Sequence, residues 1–246
     1  MSIHMNSMEL EITLKCNLLC DSCDRHCNFV DLPYFKDSDM TLEQIDKFKK
    51  EVVEKDVHLG RLRVLGGEPC IHPNVREILI SLHDLTKSGN VGRVELITNG
   101  ISDHEKIPKS IPEEIAKATK VRKSPPKKKE EKHRCNLLAP VDLGLPAKPC
   151  IALTRCGIIL NAWGYWPCGS GGSVARLMGD WGYVRYEFPS DVHETWPTLT
   201  TLCGYCYQGN RGHMPFENET DNIPTRSLWK GMTKWLKGRR FKQRRY

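Results

Sequence analysis

The chain has 246 residues, of which 39% are hydrophobic and 27% charged, with 11 cysteines and a net charge of +7. This length suits one large domain, or one domain with a small appendage. A run of about 18 apolar residues is lacking, which excludes a membrane-spanning helix, and no basic region followed by an apolar stretch marks a secretory signal.

Residues 1–8 read as a loose leader. In residues 9–14, Leu10, Ile12 and Leu14 alternate with Glu9, Glu11 and Thr13, the period of a strand. Cys16, Cys20 and Cys23 follow at spacing C-x3-C-x2-C. Thiolates at this density suit an iron–sulfur cluster or zinc. Three cysteines leave one iron of a four-iron cluster open to a small chelating molecule. Structural zinc is the alternative, with Cys27 near enough to be a fourth ligand.

A connecting loop over residues 28–39 leads to a helix beginning at Thr41. Thr41 and Gln44 have capping-box spacing, and Ile45, Phe48 and Val52 share a face. Residues 62–65 read as a second strand that runs into Gly66-Gly67-Glu68-Pro69. Another helix starts near Asn74, with Val75, Ile78, Leu79 and Leu82 on one face. A third strand over residues 93–98 ends in Thr98-Asn99-Gly100. Strand–helix, strand–helix, strand predicts an α/β fold with a parallel sheet, whose sites lie at the carboxyl ends of strands. All three notable loops take that position.

Beyond Gly100 the pattern weakens. A short helix is expected at residues 113–118 and a fourth strand at 120–124, followed by a charged loop. From Cys150 glycine, tryptophan and cysteine rise. Residues 158–160 and 165–166 suggest a hairpin, and residues 169–173 a flexible turn. The tail from Ser227 carries a helical apolar stripe.

Charge is uneven. Residues 222–246 hold nine Lys or Arg and no acid, and residues 117–134 hold nine against two acids, so the rest of the chain carries about −9. Basic segments on an acidic body permit a polyanionic partner such as DNA or RNA, a solvated basic tail being the alternative. An odd number of cysteines, clustered in close pairs, argues against a disulfide framework and for metal claws in a reducing cytoplasm.

C-x3-C-x2-C after a first strand, G-G-E-P after a second and T-N-G after a third resemble the radical S-adenosylmethionine (SAM) enzymes. The resemblance implies a partial, parallel (β/α) barrel in which Cys16, Cys20 and Cys23 hold a 4Fe-4S cluster. Its open iron chelates SAM. Reduction by an external donor such as flavodoxin or ferredoxin then yields a 5'-deoxyadenosyl radical that abstracts hydrogen from substrate. Gly66, Gly67, Glu68 and Pro69 are expected around the SAM amino group, Asn99 at its ribose or adenine, and Ser124 as a further polar contact. Cys27, Cys70 and Cys135 are expected to be structural.

Cys150, Cys168, Cys203 and Cys206 resemble the twitch or SPASM-type extensions of the same enzymes, which bind an auxiliary 4Fe-4S cluster. Gly164 precedes Cys168 roughly as in that pattern. Five cysteines compete for four places, and Cys156 is the alternate. The implied division is a core over 9–145, an auxiliary-cluster domain over 146–215 and a basic tail over 216–246. The expected substrate is a base in DNA or RNA. The alternatives are a small molecule or peptide handled by a dehydrogenase, epimerase or maturase, and a non-catalytic, zinc-stabilised nucleic-acid-binding module.

Overall fold

The computed structural model describes residues 2–18, 23, 25–27, 36–101, 106–123, 156–178, 180–191, 202–203 and 246. The first strand, β1 (Ile3–Met5), falls in the expected leader. It pairs in parallel with β3 (Val57–Leu59), where His4 and His58 stand in register and their rings stack at 4.9 Å.

The main sheet is built on β2 (Met8–Thr13), which is buried along its whole length. Its apolar side, Met8, Leu10 and Ile12, packs in one core with Ile45, Phe48 and Val52 of α1 (Leu42–Glu54). The capping box is formed. Gln44 donates its backbone N–H to Thr41 Oγ1 at 3.3 Å, and Thr41 donates its own to Gln44 Oε1 at 2.9 Å. After β4 (Leu62–Gly66), α2 (Val75–Lys87) adds Ile78, Leu79 and Leu82 to the same core, and β5 (Val94–Thr98) follows. Two short helices, α3 (Lys106–Lys109) and α4 (Glu113–Ala118), precede β6 (Thr119–Lys123).

The hairpin expected late in the chain is present as β7 (Ile159–Asn161) and β8 (Gly164–Trp166). It continues the main sheet, because β7 pairs in parallel with β2 on the side opposite β4. The six strands run β6-β5-β4-β2-β7-β8, and only the β7–β8 pairing is antiparallel. The fold class is α/β with a mostly parallel sheet, as the strand–helix alternation predicts.

Residues 169–173, expected as a turn, open a helix instead, α5 (Gly169–Met178). Tyr246 lies against α1. Its hydroxyl and that of Tyr165 both donate to Glu51 Oε2, at 2.9 and 2.6 Å. The rest of the basic tail is outside the described residues. No described helix is long and apolar enough to cross a membrane.

Candidate active site

At the carboxyl edge of the sheet the ends of β2, β4 and β5 are bonded to one another. Gly67 N–H donates to Thr13 O and Glu68 N–H to Lys15 O, each at 2.9 Å. A β-carbon on Gly66 would strike the Thr13 carbonyl. One on Gly67 would strike the Lys15 carbonyl and stand 2.7 Å from that of Leu14. The two glycines let β4 lie directly on the chain entering the cysteine loop.

Glu68 is fully buried. Its carboxylate accepts Thr98 Oγ1–H at 2.9 Å, Asn99 N–H at 2.7 Å and Cys70 N–H at 2.9 Å. The side chain therefore ties G-G-E-P to T-N-G, and the edge is left with the backbone of the motif. Gly100, at φ 77°, completes the turn. Asn99 Nδ2 donates to Asn17 Oδ1 at 2.7 Å and lies 3.9 Å from Cys16 Sγ.

Cys16 is half-buried, and its sulfur accepts Leu18 N–H at 3.4 Å. N–H donors around a thiolate are the surroundings of an iron–sulfur ligand. Cys23, a second motif cysteine, follows on the same loop, so two of the three thiolates that a 4Fe-4S cluster would take are described. Cys20 lies outside the described residues, and among the described residues no group of three or more potential ligands is gathered. Cys27 is buried beside Cys23, and a hydrogen bond with that thiol, then burial, raise its own thiol well above the usual range. His72, just past G-G-E-P, accepts Asn74 N–H on Nδ1 at 3.0 Å, so its Nε2–H donates to Met40 O at 3.1 Å.

The face of the sheet opposite α1 and α2 is polar. Glu9 and Glu11 of β2 are buried there, 3% and 1% exposed. Arg25, from the cysteine loop, reaches Glu9 at 2.6 Å and Glu11 at 3.8 Å. Arg176 of α5 meets Glu11 at 3.1 Å, Asn161 Nδ2 donates to Glu11 at 2.9 Å, and Arg63 reaches Glu9 at 3.3 Å. Buried carboxylates need such partners. His26 sits at φ 54° beside these arginines. Burial, then the charges of Arg176 and Arg25, pull its imidazole down to about 3. The sequence reading missed Arg25, Arg63 and Arg176. The signal for them was two carboxylates in a strand whose flanks left no exposed side.

Two later cysteines, Cys156 and Cys168, belong to the opposite, amino-terminal edge. Cys156 stands three residues before β7, and its sulfur is 3.5 Å from Arg63 Nη1. Burial, then Glu9, raise its thiol above the usual range. Because β8 runs antiparallel, with Trp166 opposite Ile159, Cys168 returns to this same edge. There it precedes α5, and its sulfur accepts Gly171 N–H at 3.2 Å, surroundings that favour a thiolate. A β-carbon on Gly171 would lie 3.1 Å from that sulfur and 3.7 Å from Leu202, so the segment bearing Cys203 is close by. A β-carbon on Gly169 would strike the Arg25 guanidinium. Arg25 thus spans the polar face from the first cysteine loop to Cys168. Cys150, Cys206 and Ser124 lie outside the described residues.

No family model matches the chain. It is 33% identical over 94 residues to the GTP 3',8-cyclases of Brucella ovis and Brucella canis, a match covering 38% of this chain and 26% of each relative. The chain therefore matches about a quarter of the length of these curated relatives. Among solved structures, BtrN in complex with AdoMet and 2-DOIA superposes with a TM-score of 0.49 at 14% identity, covering 87% of this chain and 92% of that one. BtrN in an open conformation gives 0.45 at 13% identity, covering 92% and 97%.

Proposed function

We propose that this chain is a radical SAM enzyme, which reductively cleaves SAM and uses the resulting radical to abstract hydrogen from a substrate held over the polar face of the sheet. The observation that carries this reading is the bonding of the cysteine loop, G-G-E-P and T-N-G into one edge through Glu68 and Asn99. Cys16, Cys20 and Cys23 would hold the 4Fe-4S cluster, and when bound the cluster and SAM supply a 5'-deoxyadenosyl radical.

The chain's own residues do the positioning. Glu68 fixes the distance between the two loops that face SAM. The Gly66–Gly67 backbone leaves room at the SAM amino group, where Pro69 closes the turn. Asn99 offers an amide to the ribose or adenine, and Ser124 a further polar contact. Glu9 and Glu11, buried with Arg25 and Arg176, brace the sheet against the cysteine loop and α5.

A second 4Fe-4S cluster is proposed at the amino-terminal edge, held by Cys150, Cys168, Cys203 and Cys206, with Cys156 as alternate. The divisions at 9–145, 146–215 and 216–246 belong to this proposal, with the hairpin β7–β8 carrying the second site against the core. Flavodoxin or ferredoxin is the proposed electron donor, and the cytoplasm the proposed compartment. A base in DNA or RNA is one proposed substrate, and a small molecule is the other. The support for the first is the basic segment over 117–134, whose strand β6 is an edge strand among the described residues.

The test is metal and sulfide content with the absorption spectrum, on protein purified without oxygen. About eight irons, a brown chromophore bleached by dithionite, and 5'-deoxyadenosine on adding SAM are expected. Cys16→Ala and Cys203→Ala should each remove about half the iron, and only the first should abolish SAM cleavage. A colourless protein with stoichiometric zinc, unaffected by reconstitution, would overturn the reading in favour of a zinc-stabilised module.

A further inference from the structure

Glu95, on the polar face of β5, is fully buried, and three guanidiniums converge on it. Arg93 Nε donates at 2.9 Å, Arg122 Nη1 at 3.3 Å, and Arg63 Nε lies 3.8 Å away. Against burial, which works the other way, the hydrogen bond from Arg122 and the charges of Arg122, Arg93 and Arg61 hold its carboxyl below the usual range. Cations crowd one another here. Arg61 is itself pulled down, by burial first and then by the charge of Arg63, with Arg93 adding to it.

Among the described residues, one carboxylate does not balance Arg93 and Arg122. Glu9 answers Arg63, but Arg93 and Arg122 share Glu95, and their side chains remain 50% and 47% exposed. A guanidinium carries five N–H donors in a planar fork. After serving Glu95, each has donors left for a second oxyanion, and a second negative charge relieves the crowding.

The position is informative. Arg122 pairs in register with Ile97, which lies on β5 two residues before Asn99. Two residues of strand span roughly 7 Å. Arg122 thus stands one layer of side chains below the proposed SAM edge, on the face where substrate would lie. The bland reading, a solvated ion-pair cluster, accounts for Glu95 but not for two half-exposed guanidiniums sharing one carboxylate.

We infer that Arg122, oriented by Glu95 and seconded by Arg93, binds an acidic group of a small substrate, a phosphoryl or carboxylate group held with the reacting carbon toward Asn99. This rests on the radical SAM reading and names the substrate class of its site. Arg122 selects substrate and Glu95 is a positioning residue, setting the plane of the guanidinium.

The test is calorimetric titration of the reconstituted protein with inorganic pyrophosphate and, separately, succinate. Saturable binding of one of them is expected, and which one binds distinguishes phosphoryl from carboxylate recognition. Arg122→Gln should weaken it at least tenfold and Arg122→Lys about threefold, with Arg93→Gln between them. Glu95→Gln should weaken binding and make Arg122→Lys equivalent to the parent, because fork geometry is lost in both. Arg76→Gln, an exposed arginine on α2, should change nothing.

Binding of neither probe, or binding that Arg76→Gln and Arg122→Gln weaken alike, would overturn the inference. A thymidine decamer that displaces pyrophosphate and depends equally on Arg122 would overturn the small-substrate commitment in favour of nucleic acid. Iron content and 5'-deoxyadenosine formed without substrate are read on the same samples. Their absence in the parent sinks the radical reading, whereas their presence with no probe binding sinks only this one.

Discussion

Glu68 and Asn99 stand at the ends of neighbouring parallel strands, and the buried carboxylate of the first accepts the backbone N–H of the second at 2.7 Å. That bond makes G-G-E-P and T-N-G one unit. Replacing Glu68 with Ala strands the Thr98 hydroxyl and the Asn99 and Cys70 N–H groups, and should cost about 4 kcal/mol of stability by urea unfolding. Glu68→Gln keeps one acceptor and should lose about half as much. Both should weaken SAM binding more than they change total iron, because the cysteines lie on another loop.

Gly67 has no room for a methyl group. Gly67→Ala sets a β-carbon 2.7 Å from Leu14 O and closer still to Lys15 O, so backbone must move. A loss of about 3 kcal/mol is expected, with reduced iron retention after reconstitution. Gly89→Ala is the contrast. Nothing lies within 4 Å of its added carbon, and the cost is the backbone strain of φ 81°, about 1 kcal/mol. Thermal unfolding of the two variants separates collision from conformational strain.

His26 gives a signed pH dependence. Its folded value, about 3, lies below the ordinary 6.5, so on acidification the unfolded chain takes up the proton first. The associated stability is complete above pH 6.5 and is lost as pH falls toward 3. Between pH 6.5 and 5 this single group should remove about 2 kcal/mol. His26→Asn, which also tolerates φ 54°, should flatten the profile in that interval. An unchanged slope would mean that the imidazole titrates normally.

Glu11 and Arg176, each 1% exposed at the side chain, form an ion pair at 3.1 Å. Arg176→Met should cost about 3 kcal/mol by leaving Glu11 one cation short, and Glu11→Gln a similar amount. The double variant should cost well under the sum, and denaturant unfolding of all four forms measures the coupling.

Much of the fold was legible. The period of β2, the capping box of Thr41 and Gln44, and the apolar faces of α1 and α2 all rest on local rules. What escaped was non-local. β1 is three residues long with no alternation to read. α5 begins Gly-Ser-Gly-Gly-Ser, with three glycines, the weakest helix former short of proline, and packing rather than propensity sets it. A β-carbon on Gly172 would lie 3.0 Å from Trp166, so the glycines that argue against a helix let this one dock. At the site, the C-x3-C-x2-C, G-G-E-P and T-N-G positions were visible. The turning of the Glu68 side chain toward Thr98 was not, because it depends on a neighbouring strand 30 residues away.

The pairing of β2 with β7 also has a consequence for how the chain is made. Glu9 N–H bonds Ile158 O at 3.0 Å, so one rim of the central strand is completed by residues emerging about 150 positions later. Until then the nascent sheet carries an open strand edge and two charges without their full set of partners. A fragment ending near residue 145 would expose that edge permanently and be prone to edge-to-edge association. Synthesis of the two cysteine-bearing halves as separate polypeptides should succeed only when they are produced together.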